Sequence, residues 1–371
     1  MATQVCAAIQ PALPEGAPRT HSLPRSKRRK QLAVSIEFPA WSNWQDAFRV
    51  LLAQGRARHI TRVGISAGRA DWTFYRSTHD RDSWSDTQRA QSDNMLEVAV
   101  NELGEREICA TAVLDVFAPR YLAKRPQYAA VDMRGRRSAE IVCSTAFAQG
   151  EYGRIVTNAF EALAASTSAD SVAVTNLYFN WHCFCRHCLE HFRGYAGCSD
   201  WPRLSNGAID LLNPAIGGWR SGQVAAVVSR LACTARAHDK RMLFDVKLSR
   251  DDLSCNSREN GQDYALLRPH VDEFVVWDQF ALDGAEPAQS AEAARHLSQE
   301  LGPDEYWHCV GLWHNDGLPL DAQQMRRSLL GALHGGARRL WIAPSHYLSP
   351  LHWQQVDELM SRDNVAAVSV D

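Results

Sequence analysis

The chain lacks any long apolar run, and no window approaches the roughly 20 residues that a membrane-crossing helix needs. It also lacks an excess of either charge. Lys and Arg number 40 against 42 Asp and Glu, for a net charge of −2. No global field therefore favours nucleic acid or an acidic membrane as partner. The N-terminus lacks the order of a secretory signal. In "MATQVCAAIQPALPEGAPRTHSLPRSKRRK" the basic run from Arg25 to Lys30 follows the mildly apolar part, and no apolar h-region precedes it. A soluble, cytoplasmic protein is expected. Residues 1–30 are predicted to form a disordered, basic, Pro-rich tail, and residues 31–371 a single domain.

Other absences narrow the fold. The first strand–helix turn has no G-x-G-x-x-G, which speaks against a dinucleotide-binding, doubly wound sheet. No His-x-His follows the first strand, as a metal-dependent amidohydrolase would require. The glycines of "LHGGARR" precede the last strand instead of following it, which disfavours a phosphate-binding barrel.

What is present is an alternation of β-rich and helical patterns. Strands are predicted at residues 31–38, 60–67, 107–117, 170–179, 241–249, 272–280, 305–313 and 337–345, with helical stretches between them. Expected helices include "WQDAFRVLLAQGR" after the first strand and "DTQRAQSDNMLEVAVNELG" after the second. Eight such units, ending on a helix, predict an α/β fold, a single (β/α)₈ TIM barrel. A long loop follows strand three and a Cys-rich loop follows strand four.

The ten cysteines are otherwise scattered, and Cys109, Cys233 and Cys309 lie in apolar runs where Cys behaves as a small hydrophobe. That usage suits a reducing compartment rather than a disulfide scaffold. The exception is "NWHCFCRHCLEHF", residues 180–192. Its Cys-x-Cys-x₂-Cys run, Cys183, Cys185 and Cys188, can set three sulfurs around one ion. Cys143 ends the excursion after strand three and emerges on the same barrel face, so it is the expected fourth ligand. Cys198 and nearby histidines are second choices. A radical S-adenosylmethionine cluster has a different spacing on a different strand, and Cys185–Cys188 alone has the spacing of a dithiol redox motif. Structural Zn²⁺ fits a four-thiolate set, with metal-free reduced cysteines as the alternative.

Together, "VDMRGRRSAEIVC", "SVAVTNLYF" and "CFCRHCLEHFRGY" resemble the zinc-bearing β-galactosidases of glycoside hydrolase family 42, and more broadly glycosidase-like barrels, over about residues 115–200. The resemblance implies zinc ligation by Cys143, Cys183, Cys185 and Cys188. It does not extend to that family's catalytic Glu pair. Leu177 follows Asn176 where an acid/base Glu is expected, and "CVGLWH" at strand seven holds no carboxylate.

Barrel active sites lie at the C-terminal strand ends. Those ends offer Glu37, Arg69, Asp115, Asn176, Tyr178, Asp245, Lys247, Trp277, Asp278, Trp313 and His346. Several carboxylates on nearby strands suit glycoside hydrolysis, in which one protonates the leaving oxygen and another attacks or activates water. Asp245 shares a strand face with Lys247, which favours its ionised form, so it is the expected nucleophile or base. Asp278 is the expected acid/base, with Asp115 and Glu37 as alternatives for either role. Trp277 would stack on a sugar if its strand frays there. Arg69, Asn176, Tyr178, Lys247, Trp313 and His346 are expected to bind substrate. A carbohydrate is the expected ligand, with no nucleic acid or membrane partner. Two other functions remain open: a glycan-binding barrel without turnover, and a lyase or aldolase forming a Schiff base on Lys247.

Overall fold

A computed structural model describes residues 30–37, 48, 51, 59–76, 83–179, 182–250 and 260–361. The expected tail falls outside these residues, apart from Lys30, whose Nζ donates to the Leu359 carbonyl at 3.0 Å. Among the described residues, eight parallel strands form the central sheet, and the two-residue strand Trp72–Thr73 adds to it antiparallel to the second of them. The eight are β1 (Gln31–Ile36), β2 (Ile60–Arg69), β3 (Cys109–Asp115), β4 (Ser171–Thr175), β5 (Arg241–Lys247), β6 (Glu273–Asp278), β7 (Tyr306–Gly311) and β8 (Arg339–Ala343). Each pairs in parallel with the next, and β1 pairs with both β2 and β8, so the sheet closes into a (β/α)₈ barrel. Among the described residues, no helix is long and apolar enough to cross a membrane.

Local chemistry sets the helix ends. The helix Pro214–Ala237 starts where the Asn213 side chain accepts from the Ala215 N–H, with Pro in the first turn. Asp321 and Gln324 form a capping box at the start of Ala322–His334, which stops at Gly335 as its glycines suggest.

Several expected elements change. The helix expected over residues 86–104 is two, Asp86–Arg89 and Met95–Gly104. The Gln88 side chain holds the break by donating to the Asp93 carbonyl at 2.7 Å and accepting from the Met95 N–H at 3.0 Å. Of the helix expected after β1, only the buried Phe48 and Leu51 lie within the described residues. The fourth strand stops at Thr175 because Asn176 turns into the left-handed region, φ 62°. The excursion after β3 contains an antiparallel hairpin, Ala129–Val131 with Arg137–Val142.

Alternation along each strand divides side chains between the lumen and the helix layer. At the N-terminal end of the lumen, Glu273 accepts from Arg241 and Arg339, each at 2.7 Å, and from the Trp307 indole at 2.8 Å. Arg62 reaches Thr111 at 2.8 Å and Ser171 at 2.7 Å beside them. Burial would raise the Glu273 pKa, but the charges of Arg62, Arg339 and Arg241 hold it at about 2. This ionic cluster fills that end of the lumen. Above it pack Ala33, Ala173, Leu243, Trp307, Cys309 and Trp341.

Candidate active site at the mouth of the barrel

The C-terminal strand ends surround a cleft of about 940 Å³, open to solvent. Glu37, Asp115, Asn176, Tyr178, Asp245, Lys247, Trp277 and Trp313 all line it, drawn from six strands or the residues just after them. The sequence reading missed Ser35, Thr175, Gln279 and Trp341, which also line the cleft. Ser35 stands two residues before Glu37 on the same face, so the period of two carried a signal for it. The Trp341 indole donates to Ser35 Oγ at 2.6 Å. Gly64 leaves room for that ring, since a Cβ there would strike Trp341. Trp277 and Trp313 form one aromatic wall, with ring centroids 5.5 Å apart and planes inclined by 31°.

Three buried carboxyl groups face this cleft, each with its pKa raised by burial. Burial pushes the Glu37 pKa up to about 8, and the charges of Asp245 and Asp115 add to the rise. Burial raises Asp245 to about 7, against the Thr175 hydroxyl, which favours its ionised form. Asp115 is also raised by burial, but Arg69, the Phe117 N–H and Asn176 oppose the shift. Its oxygens accept from Arg69 Nε at 3.0 Å, the Phe117 N–H at 2.8 Å and Asn176 Nδ2 at 2.9 Å. The left-handed backbone at Asn176, which Asn tolerates better than most residues, accompanies that last contact.

Asp278 lies elsewhere. The strand does not fray: β6 runs through Asp278, and Trp277 and Asp278 register with Cys309 and Val310 of β7. Trp277 therefore faces the lumen and Asp278 the helix layer. Its carboxylate is wholly buried, paired with Arg250 and accepting from Ser290 Oγ at 2.7 Å, with His308 Nε2 at 3.1 Å. Burial would raise its pKa, but the hydrogen bond and charge of His308, the charge of Arg250 and the Ser290 hydroxyl hold it below the ordinary range. Asp278 is thus not brought to the mouth with Asp245. Arg69 binds Asp115 from outside the cleft lining, and His346 stacks on Tyr347, with centroids 4.5 Å apart, also outside it.

Beside the mouth, Cys143, Cys183, Cys185 and Cys188 converge, all four sulfurs lying within 4.8 Å of one another. Cys143 Sγ is 3.4 Å from both Cys185 Sγ and Cys188 Sγ, and all four are free thiols. Cys143 caps the helix Ser144–Gln149, and Cys185 caps Arg186–Ala196. The Val131 N–H points at Cys183 Sγ (3.4 Å), and the Ser144 hydroxyl lies 3.0 Å from Cys188 Sγ. Such donors favour thiolates. A tetrahedral ion with metal–sulfur bonds of about 2.3 Å needs sulfurs roughly 3.8 Å apart, so this donor set fits a metal ion. Arg220, missed by the sequence reading, braces the loop. Wholly buried, it donates to the His182 carbonyl at 2.7 Å and lies over Phe179 and Phe184, at 5.1 and 5.2 Å.

Solved structures of similar fold include glycoside hydrolases. The PgaB (BpsB) glycoside hydrolase domain from Bordetella bronchiseptica aligns over 91% of this chain and 100% of its own, with a TM-score of 0.67 and 15% identity. α-L-Fucosidase isoenzyme 2 from Paenibacillus thiaminolyticus aligns over 90% of this chain and 49% of its own, at TM-score 0.61 and 14% identity. The β-galactosidase from the psychrophilic Marinomonas ef1 aligns over 89% and 59%, at TM-score 0.61 and 13% identity. What they share with this chain is the barrel. No protein-family model and no curated protein matches the sequence.

Proposed function

We propose that the protein is a glycoside hydrolase acting at the open end of its barrel. The observation that carries this reading is the set of three enclosed carboxyl groups, on or just after β1, β3 and β5, facing one cleft beside an aromatic wall. Burial raises all three, Glu37 furthest, to about 8, and unlike environments are how paired carboxyl groups divide acid and base roles. Glu37 holds its proton to about pH 8 and is the general acid that protonates the leaving oxygen. Asp245 is the nucleophile or base. Asp115, anchored by Arg69 and Asn176, adds to the burial and the Asp245 charge that keep the Glu37 proton in place. Trp277 and Trp313 offer faces on which a sugar ring can stack. The carbohydrate-cleaving neighbours add support at the level of fold only.

We also read the four-cysteine cluster as a structural zinc site, the one feature for which kinship with family 42 is proposed. The ion would tie the hairpin after β3 to the loop after β4, and it takes no part in the chemistry. Free thiols suit a reducing compartment, so the cytoplasm is the proposed location.

The test is turnover of a panel of aryl glycosides and oligosaccharides by wild type, Glu37→Gln and Asp245→Asn on folded, metal-counted protein. Each substitution should lower kcat by about 10²–10⁴. If wild type binds a glycan but cleaves none, the barrel is a binding module, a reading that the missing family 42 Glu pair favours. A borohydride-trapped adduct on Lys247, which also lines the cleft, would point to a lyase instead.

A further inference from the structure

Strand β5 carries Asp245 past the end of its neighbour β4. The parallel ladder between the two stops at Val174 and Phe244, and the chain turns away at Asn176, φ 62°. On its other edge β5 stays paired with β6 as far as Lys247 and Trp277. The segment from Asp245 to Lys247 therefore has a partner strand on one edge only. Backbone N–H and C=O groups buried without partners are costly, so the open edge needs another acceptor and donor.

The side chain of Gln262 supplies both. It is wholly buried. Its Oε1 accepts from the Lys247 N–H at 2.9 Å, and its Nε2 donates to the Asp245 carbonyl at 3.0 Å. A residue paired opposite Val246 on a parallel strand would bond the same two groups, the carbonyl before it and the N–H after it. A side-chain amide holds the acceptor and donor of a peptide group, so it can take that residue's place. Nε2 also donates to the Leu177 carbonyl at 3.2 Å. Leu177 lies between Asn176 and Tyr178, which line the cleft, and Asn176 donates to Asp115 at 2.9 Å. One amide thus bridges the backbone that carries Asp245 and the backbone that carries Asn176 and Tyr178.

The segment bearing Gln262 is itself held. The Phe179 N–H donates to the Asn260 carbonyl at 3.0 Å. Gly261 has a φ of +75°, and a Cβ there would stand 3.0 Å from the Arg220 carbonyl, the Phe179 ring and Val224. Glycine alone adopts that conformation at so close an approach without strain.

We propose that Gln262 is a positioning residue for the cleft, its amide replacing the missing rung between β4 and β5 and fixing the backbone of Asp245 against that of Leu177. Gln262 does not line the cleft, so it acts through those backbones. Its part in turnover rests on the reading of Asp245 as nucleophile or base; the clamp itself does not. A reacting group displaced by about 1 Å can lose about 10² in rate.

The experiment compares the full chain with Gln262→Met, which keeps the side-chain length without the N–H donors, and Gly261→Ala, which keeps the amide but unseats it. Thermal melts identify the folded variants, and either one that folds decides the outcome. On an aryl glycoside that wild type cleaves, kcat should fall about 10²-fold while KM stays within about threefold, since the loss is felt in the transition state more than in binding. The second readout is the ¹³C-carboxyl NMR titration of Asp245, assigned by its absence in Asp245→Asn. Wild type should titrate at about 7. The variants should titrate about one unit or more lower, because a loosened strand end admits water to the buried carboxyl. A wild-type kcat in a folded variant, or an Asp245 titration unmoved or raised, would overturn the positioning role. If wild type cleaves no glycoside, the hydrolase reading fails and the titration alone decides the clamp.

Discussion

Trp277 and Asp278 are adjacent on β6 and face opposite sides of it, Trp277 into the cleft and Asp278 into the helix layer. That half-turn separates a group at the candidate site from one that holds the fold. Removing the Asp278 carboxylate leaves Arg250 and His308 without their buried acceptor. Asp278→Ala should therefore cost about 3–5 kcal/mol of stability in urea unfolding. Because the native carboxyl has a depressed pKa, its contribution is present above pH 3.8 and is lost as pH falls below that value. A variant as stable as wild type at neutral pH would remove Asp278 from the packing role argued above.

The pH profile of turnover follows from the two raised carboxyl groups. Asp245 must be ionised and Glu37 protonated, so kcat/KM should fall below about pH 7 and again above about pH 8. The limbs belong to the coupled pair rather than to either residue. Glu37→Gln should flatten the alkaline limb of whatever activity remains. An alkaline limb unchanged in that variant would exclude Glu37 as the acid.

Glu37 also links pH to stability, with the opposite sign to Asp278. The native state keeps this proton to a higher pH than the unfolded chain does. Stability should therefore decline as pH rises from 4.5 toward about 8. Glu37→Gln removes the penalty, so its melting temperature should exceed that of wild type by a margin that grows across this window. A margin independent of pH between 5 and 8 would contradict the buried-carboxyl account.

The cysteine cluster predicts about one zinc per chain by elemental analysis, as a single four-thiolate site requires. Cys143→Ser and Cys188→Ser, each removing one thiolate of the four, should lose most of the bound metal and lower the melting temperature. Wild type that stays metal-free after zinc addition, yet melts unchanged, would reduce the cluster to packed thiols.

Gly64 and Trp341 supply a steric test of the cleft floor. Gly64→Ala sets a methyl against the indole that donates to Ser35. Overpacking of this kind should cost about 1–3 kcal/mol and displace the ring, with a change in near-UV circular dichroism. An unaltered spectrum and melting temperature would show that the ring has room to spare.

Much of this molecule was readable along the chain, because the signals are local. Alternating strand and helix patterns over residues 31–361 specify the barrel, and all eight strands form near their expected positions. Cys183, Cys185 and Cys188 lie within six residues of one another, and the βα order alone puts Cys143 on the same barrel face. Strand-end position likewise marked Glu37, Asp115 and Asp245 as candidates. Tertiary structure decided what local patterns do not encode. Whether β6 ends before or after Asp278 depends on its pairing with β5 and β7, and that pairing turned a candidate acid into a buried anchor. The pKa of Glu37 depends first on its burial and then on Asp245 and Asp115, more than 70 residues away in the chain, and all three arise only when the ring of strands closes. Composition and period fix which residues can face a lumen; closure alone fixes which charges share it, because Coulomb interactions depend on distance through space.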